Sequence, residues 1–183
     1  MGYEAAVNKA WEELLAFNPP KLFSVKFLAD EYSFDTVARK AISMSCNVPA
    51  KDHALILMLH YQIARLKSLQ VIENEWLDFK ELSAVEGYGP AFRKRVIEPI
   101  IRKYGKTPEG LIQAGAKFKA KKAEQGDIGI IINIFDGVPA LVVFWKADEE
   151  FGAEANVLFD KSITRIFCIE DIIVMAEMAA RQL

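Results

Sequence analysis

Polar and apolar positions along the chain follow two rhythms, one near 3.6 residues and one of 2, and the predicted elements change where the rhythm changes. Between Tyr3 and Phe17, the residues Val7, Ala10, Trp11, Leu14 and Leu15 fall at helical spacing, and Pro19-Pro20 stops that helix. Residues 22–28 and 32–37 are β-rich runs around Ala29-Asp30-Glu31, with Val25 and Phe27 alternating against Ser24 and Lys26, which suits a hairpin with one wet face. Residues 41–44 read as a short further strand. Behind Asp52, read as an N-cap, residues 53–69 are apolar around nearly the whole helical circumference, so this helix is expected at the centre of the helical layer.

Residues 76–82 read as a short strand or turn, and Gly89-Pro90 opens a helix whose stripe is Phe92, Val96, Ile100 and Tyr104, with a kink or break expected at Pro99. Thr107-Pro108-Glu109 restarts a helix predicted to run to about Ala123. The strongest strand signal lies in residues 126–160. Asp136-Gly137 there suits a two-residue turn, because a type I′ turn needs positive φ at both positions. That register pairs Phe135 with Val138 and Gly129 with Phe144, leaving room for the Phe144 ring. It puts Ile128, Ile130, Ile132 and Ile134 on one face and Gly129, Ile131, Asn133 and Phe135 on the other, with Asn133 needing a partner. Residues 163–167 read as a strand or an irregular approach, and a last helix begins near Cys168, with Ile169, Ile172, Ile173, Ala176, Ala180 and Leu183 as its stripe.

These elements predict an α+β fold in one domain over residues 1–183: an antiparallel sheet built from the hairpins at 22–37 and 128–145 plus residues 156–159, with helices mainly on one face. A chain of 183 residues can bury roughly 70% of its unfolded surface, so it needs no staples. Cys46 and Cys168, far apart and without CxxC spacing, read as reduced thiols. No apolar run is long enough to span a bilayer, the start has no signal-peptide pattern, and Gly2 lacks the Ser/Thr of a myristoylation site, so a cytoplasmic protein is expected. His53 and His60 lie seven residues apart, about 10 Å along a helix, too far to share a metal, and read as structural or surface residues. The net charge of −2 hides a basic stretch from Arg93 to Lys122 and an acidic one from Asp148 onward, spread over solvated faces or turned toward each other or a partner.

Three stretches are candidates for chemistry. Residues 82–97, with Gly87-Tyr88-Gly89-Pro90 before Arg93, Lys94 and Arg95, have the glycine pattern of a helix-hairpin-helix that offers backbone N–H groups to DNA phosphates. A glycine turn that simply opens a helix is favoured over it, because no clear helix precedes it and no second copy exists. Second, Asp148, Glu149, Glu150 and Asp160, with Glu170 and Asp171 beyond, could gather carboxylates for a cation or for acid–base work, against the alternative of solvated charges and helix-end charges. Third, Trp76, Phe79, Tyr88, Trp145 and Phe151 could line a pocket or belong to the core. No GxSxG, Walker loop or dinucleotide GxGxxG is present.

Gly126-Asp127, Pro139, Trp145, Asp148, Glu150-Phe151, Leu158-Phe159-Asp160 and Glu170-Asp171, with Tyr61, Trp76 and Phe79 upstream, resemble an uncharacterised prokaryotic family, domain of unknown function 3786, most specifically over residues 126–171. The resemblance implies a family found mainly in anaerobic bacteria and archaea, some of whose members carry an added iron–sulfur segment. The cysteine-rich part of that segment is missing here. The resemblance supplies a fold and a site location, not a reaction. Together the residues favour a cytoplasmic, non-catalytic protein, either accessory or binding a small molecule or metal, with Trp145, Asp148, Glu150, Phe151 and Asp160 as ligand-binding residues. A metal-dependent enzyme using the same carboxylates is the alternative, and nucleic-acid binding through the glycine loop a second. The expected partner is a small molecule, a metal ion or a protein, with nucleic acid disfavoured and no membrane; the residues single out no cofactor.

Overall fold

Eight antiparallel strands form one sheet in a computed structural model that describes residues 3–68, 72–82 and 85–183. Helix α1 (Glu4–Leu15) precedes strands β1 (Leu22–Phe27), β2 (Asp30–Asp35) and β3 (Lys40–Ser43), which are followed by α2 (Asp52–Leu66) and β4 (Trp76–Asp78). A run of helix follows: α3 (Gly89–Phe92), a π-helical segment (Arg93–Ile97), α4 (Glu98–Tyr104) and α5 (Gly110–Gly115). Then come β5 (Lys121–Ala123), β6 (Ile128–Phe135), β7 (Val138–Trp145), β8 (Glu154–Asp160) and α6 (Ile169–Gln182). The spatial order is β3-β2-β1-β6-β7-β8-β4, with β5 also paired to β6. The architecture is α+β, as the periodicities predict.

Register explains which side chains meet the helices. Ile128, Ile130 and Ile132 of β6 pair with Phe144, Val142 and Ala140, so all six share one face, continued by Ala155, Val157 and Phe159 of β8. The helices cover that face: Tyr61 of α2 stacks on Phe135 at 4.3 Å, Phe92 of α3 meets Phe159 edge-on at 6.3 Å, and Gly115 of α5 lies against Ile130. The other face carries exposed Asn133, half-buried Ile131, Leu158 and Asn156, and buried Leu141 and Val143, over which the loop at Gly126 folds.

The central hairpin corrects the expected pairing by one residue. Phe135 does pair with Val138 around Asp136-Gly137, but a β-bulge at Ile134 then shifts the ladder, so Gly129 faces Val143 and Ile128 faces Phe144. The extra residue returns Phe135 to the face of Ile128, Ile130 and Ile132, and leaves Asn133 in water with no need of a partner. It also frees the Ile134 carbonyl to accept the Leu28 N–H at 2.7 Å, which hooks the first hairpin onto β6. Gly129 makes room for backbone rather than for a ring: a Cβ there would lie 2.8 Å from the Ala123 carbonyl oxygen and 2.7 Å from that of Gln125.

Several expected boundaries move for local reasons. The first hairpin turns at Leu28-Ala29, with Phe27 opposite Asp30 and Leu28 at φ +56°, one residue earlier than Ala29-Asp30-Glu31 suggests. Lys51 is the N-cap of α2 and Asp52 lies in its first turn; the expected end near Leu69 falls outside the described residues, as does Gly2. Pro99 does not break its helix, because the wider π-helical turn just before it relieves the clash and the missing donor that proline brings. The helix restarted after Thr107 ends early: Lys119 turns left-handed at φ +53°, and residues 121–123 pair with β6 as β5. Residues 163–167, which suit either a strand or an irregular approach, form no strand: Lys161–Arg165 is a 3₁₀ turn that leads irregularly to α6.

Candidate functional site

The five residues expected to bind a ligand are not brought together. Asp148 closes its own turn: its Oδ1 accepts from the N–H groups of Glu150 (2.8 Å) and Phe151 (2.7 Å), and its N–H donates to the Phe151 carbonyl at 2.9 Å. Those N–H groups hold its carboxyl below the ordinary value. Glu150 faces water, and the Phe151 ring is 70% exposed at the turn. Asp160 lies at the far end of β8, about 20 Å along the strand from Glu154. It is buried and accepts from Glu73 N–H, Asn74 N–H, Ser162 N–H and the Ser162 hydroxyl. Glu170 accepts from Tyr88 Oη at 2.8 Å, and Asp171 meets His60 Nδ1 at 2.7 Å, so the first turn of α6 is tied to two neighbours. Among the described residues no group of three or more His, Cys, Asp or Glu could hold a metal ion.

The glycine loop is likewise engaged within the molecule. Gly87 adopts φ +82°, as a tight turn requires, but the segment before it is a 3₁₀ turn (Phe79–Glu81), and Ser83 and Ala84 lie outside the described residues. Arg93 bonds Glu154 through both terminal nitrogens at 2.9 and 3.3 Å, and Arg95 pairs with Glu177. Two of the three cations expected to meet phosphate are thus turned onto carboxylates.

What the fold does build is a cleft of about 660 Å³ on the other side of Trp145. It exists because β4 pairs with β8 only at Leu158, Phe159 and Asp160. The chain then leaves through the Phe79–Glu81 turn, whose capping box on Asp78 and Glu81 fixes the departure, and the edge of β8 from Glu154 to Asn156 is left facing α3. The floor is the buried pair Phe79 and Phe92, stacked at 4.0 Å, with Ile97 and Ala155 beside it. Trp145, 42% exposed at the end of β7, and Pro90 form walls. Of the five aromatics proposed to line a pocket, Phe79 and Trp145 do so here; Tyr88 borders two smaller hollows toward α6, Trp76 pairs with Asp160, and Phe151 stays in its turn.

Polar groups sit at the rim, and their bonds are short-range. Ala155 N–H is met by Glu154 Oε1 at 3.0 Å and Val157 N–H by Asn156 Oδ1 at 2.8 Å, so side chains of β8 satisfy its own edge. Asn156 Nδ2 donates to Asp78 Oδ2 at 2.5 Å. Partial burial pushes the Glu154 carboxyl up, but the bonds from Arg93 and Ala155 N–H outweigh it and leave it lowered; the same pairing raises Arg93. Phe92, Glu154 and Ala155, which line the cleft, are not among the site residues expected from sequence, and Arg93 is expected there only as a cation for phosphate. The alternation Glu154-Ala155-Asn156-Val157, which lays two polar side chains on one face beside Trp145, is the signal that could have found Glu154 and Ala155.

Cys168, the N-cap of α6, borders one of the hollows beside Tyr88. Desolvation raises its thiol to about 11; the Asp171 N–H opposes this, and the Asp171 and Glu170 carboxylates reinforce it. An activated nucleophile is displaced the opposite way. Iodoacetamide at mildly alkaline pH is therefore expected to alkylate Cys168 on the order of tenfold more slowly than free cysteine, the lower thiolate fraction being partly offset by higher intrinsic nucleophilicity. Peptide mapping of the labelled protein measures this, and labelling as fast as the free amino acid would contradict it.

Comparison with protein families matches residues 12–182 to the model described as Domain of unknown function (DUF3786), nearly the whole chain. Comparison with curated proteins and with solved structures finds no match. Among the described residues no helix is long and apolar enough to cross a membrane.

Proposed function

Since the chain belongs to this family of unknown function, we propose from its geometry that it is a non-catalytic protein, accessory in role, that holds a small molecule in the cleft beside Trp145. One observation carries this reading: a cavity of about 660 Å³, walled mainly by aromatic and aliphatic side chains with a few polar groups at the rim. That size and lining match small-molecule sites, which run roughly 300–1,000 Å³. Binding is favoured over catalysis because Glu154 and Arg93 hold each other firmly charged, whereas a general acid or base is moved toward neutrality. Of the residues expected from sequence to contact a ligand, Trp145 is retained; Asp148 and Asp160 serve the backbone around them. We further take the chain to act as one domain, since a single cluster of buried side chains runs from Ala10 to Leu183. A reducing compartment such as the cytoplasm suits its two free cysteines.

The test is a thermal-shift screen of small aromatic and aliphatic compounds against the protein and a cleft-blocked variant, Gly89→Phe. Gly89 lines the cleft, and a Cβ placed there meets nothing within 4 Å, so the variant is expected to fold. A true ligand at a hundred times its Kd stabilises the native state by about 2.7 kcal/mol, which for a chain of this size raises Tm by roughly 5–10 °C. Hits are expected to lose that shift in Gly89→Phe. Equal shifts in both proteins would place binding elsewhere.

A further inference from the structure

The rim of the cleft also indicates what kind of ligand it takes, an inference that rests on the binding reading above. Formal charges there cancel, Asp78 and Glu154 against Lys80 and Arg93, so net charge alone selects nothing. What differs is which groups are already engaged. Asp78 Oδ1 accepts from Lys80 N–H at 2.8 Å and Oδ2 from Asn156. Glu154 accepts from Arg93 on both oxygens and from Ala155 N–H on one, and Asn156 Oδ1 accepts from Val157 N–H. Every side-chain acceptor at the rim therefore already has a donor.

The donors are in surplus. Among the described residues the Trp145 indole N–H has no hydrogen-bond partner, and the Lys80 ammonium has neither a hydrogen bond nor a close ion pair, its charge reaching Glu154 only at longer range. Arg93 offers five N–H groups, and its fork on Glu154 leaves donors over. A cationic ligand would share carboxylate oxygens that already hold donors, whereas an anion meets donors that are unused. Beneath this rim the half-exposed Trp145 ring presents flat apolar surface, with the buried Phe79–Phe92 stack closing the floor. We propose that the cleft takes a flat apolar molecule carrying one anionic group, its ring against Trp145 and its anion at Lys80 and Arg93.

Two dyes with nearly the same aromatic body test this directly: anilinonaphthalene sulfonate, an anion, and phenylnaphthylamine, which is neutral. Fluorescence titrations would use the wild type, Lys80→Gln and Gly89→Phe. Lys80 is an exposed side chain, so its variant should fold unchanged. The sulfonate is expected to bind the wild type at least about tenfold more tightly than the neutral dye. Lys80→Gln should shrink that gap while leaving the neutral dye unaffected, added salt should shrink it too, and Gly89→Phe should weaken both dyes. Equal affinity for the two dyes, with no effect of Lys80→Gln, would overturn the anion preference and leave the cleft standing if Gly89→Phe still blocks. Failure of both dyes to bind, or binding untouched by Gly89→Phe, would overturn the cleft as a site and the ligand class with it.

Discussion

Asp160→Ala is expected to destabilise the protein by about 3–5 kcal/mol, the cost of leaving several buried donors without their acceptor. The carboxylate is 1% exposed and accepts bonds from Glu73 N–H (3.1 Å), Asn74 N–H (2.7 Å), Ser162 N–H (3.0 Å) and Ser162 Oγ (2.5 Å). It thereby joins the approach to β4 with the end of β8 and the turn after it. Alanine would leave these donors facing a void, each costing about 1–3 kcal/mol before water or a shifted backbone recovers part. Asp160→Asn keeps one acceptor oxygen and is expected to lose about 1.5–3 kcal/mol, the worth of bonds to a charged group. Urea unfolding with an unchanged m-value is the measurement. A loss below about 1 kcal/mol for the alanine variant would mean that the loop donors reach water without cost. The same variants separate structure from function at this residue: dye binding in the cleft should survive Asp160→Asn, whereas a ligand-holding Asp160 would lose it without losing stability.

How much of this could be read from the chain depends on whether the deciding contact is local. The hairpin at Asp136-Gly137 was legible because turn geometry dictates residue type, and Phe135 does face Val138. The bulge at Ile134 was not, since it answers to a distant donor, the N–H of Leu28. Periodicity likewise found α2 and α6 but mistook residues 121–123 for helix. Nothing local distinguishes KKA as a strand; its pairing depends on the missing side chain at Gly129, six or more residues on. Pro99 shows the same limit, because the π-helical turn that accommodates it is a whole-helix adjustment.

As a pocket lining, the cleft was legible only at Phe79 and Trp145, for a related reason. Counting Asp and Glu along the sequence located charge but not its use, and Asp148 and Asp160 turned out to accept backbone N–H groups. Arg93, read as a cation for phosphate, faces Glu154, 61 positions away. The cleft itself is a consequence of strand lengths: β4 spans Trp76–Asp78 while β8 runs from Glu154 to Asp160, and the mismatch opens the space. Such a mismatch has no signature in either segment alone. Trp145 was found because an aromatic residue where alternation gives way to charge marks the end of a strand, and strand ends are where clefts form.

Phe135→Ala is expected to cost about 3–5 kcal/mol, the range for deleting a buried phenyl ring. Phe135 is 1% exposed and stacks on Tyr61 at 4.3 Å, Phe27 at 4.7 Å and Phe167 at 5.7 Å, so its ring joins α2, β1 and the approach to α6. The cavity cannot collapse easily, because Phe135 stands at a bulge and Tyr61 is held by a 2.8 Å bond to the Asp136 carbonyl. The loss should also be uneven. Among the described residues the only ladder pair between β1 and β6 is Phe27 with Phe135, so the strands β1, β2 and β3 hang on the rest of the sheet chiefly through this residue and the Leu28–Ile134 bond. Native-state hydrogen exchange of the variant is therefore expected to show amides of residues 22–43 opening at lower free energy than those of β6, β7 and β8. If all of these amides lost protection by the same amount, the first hairpin and the central meander would form one cooperative unit, and the ring would matter for packing without serving as the joint between them.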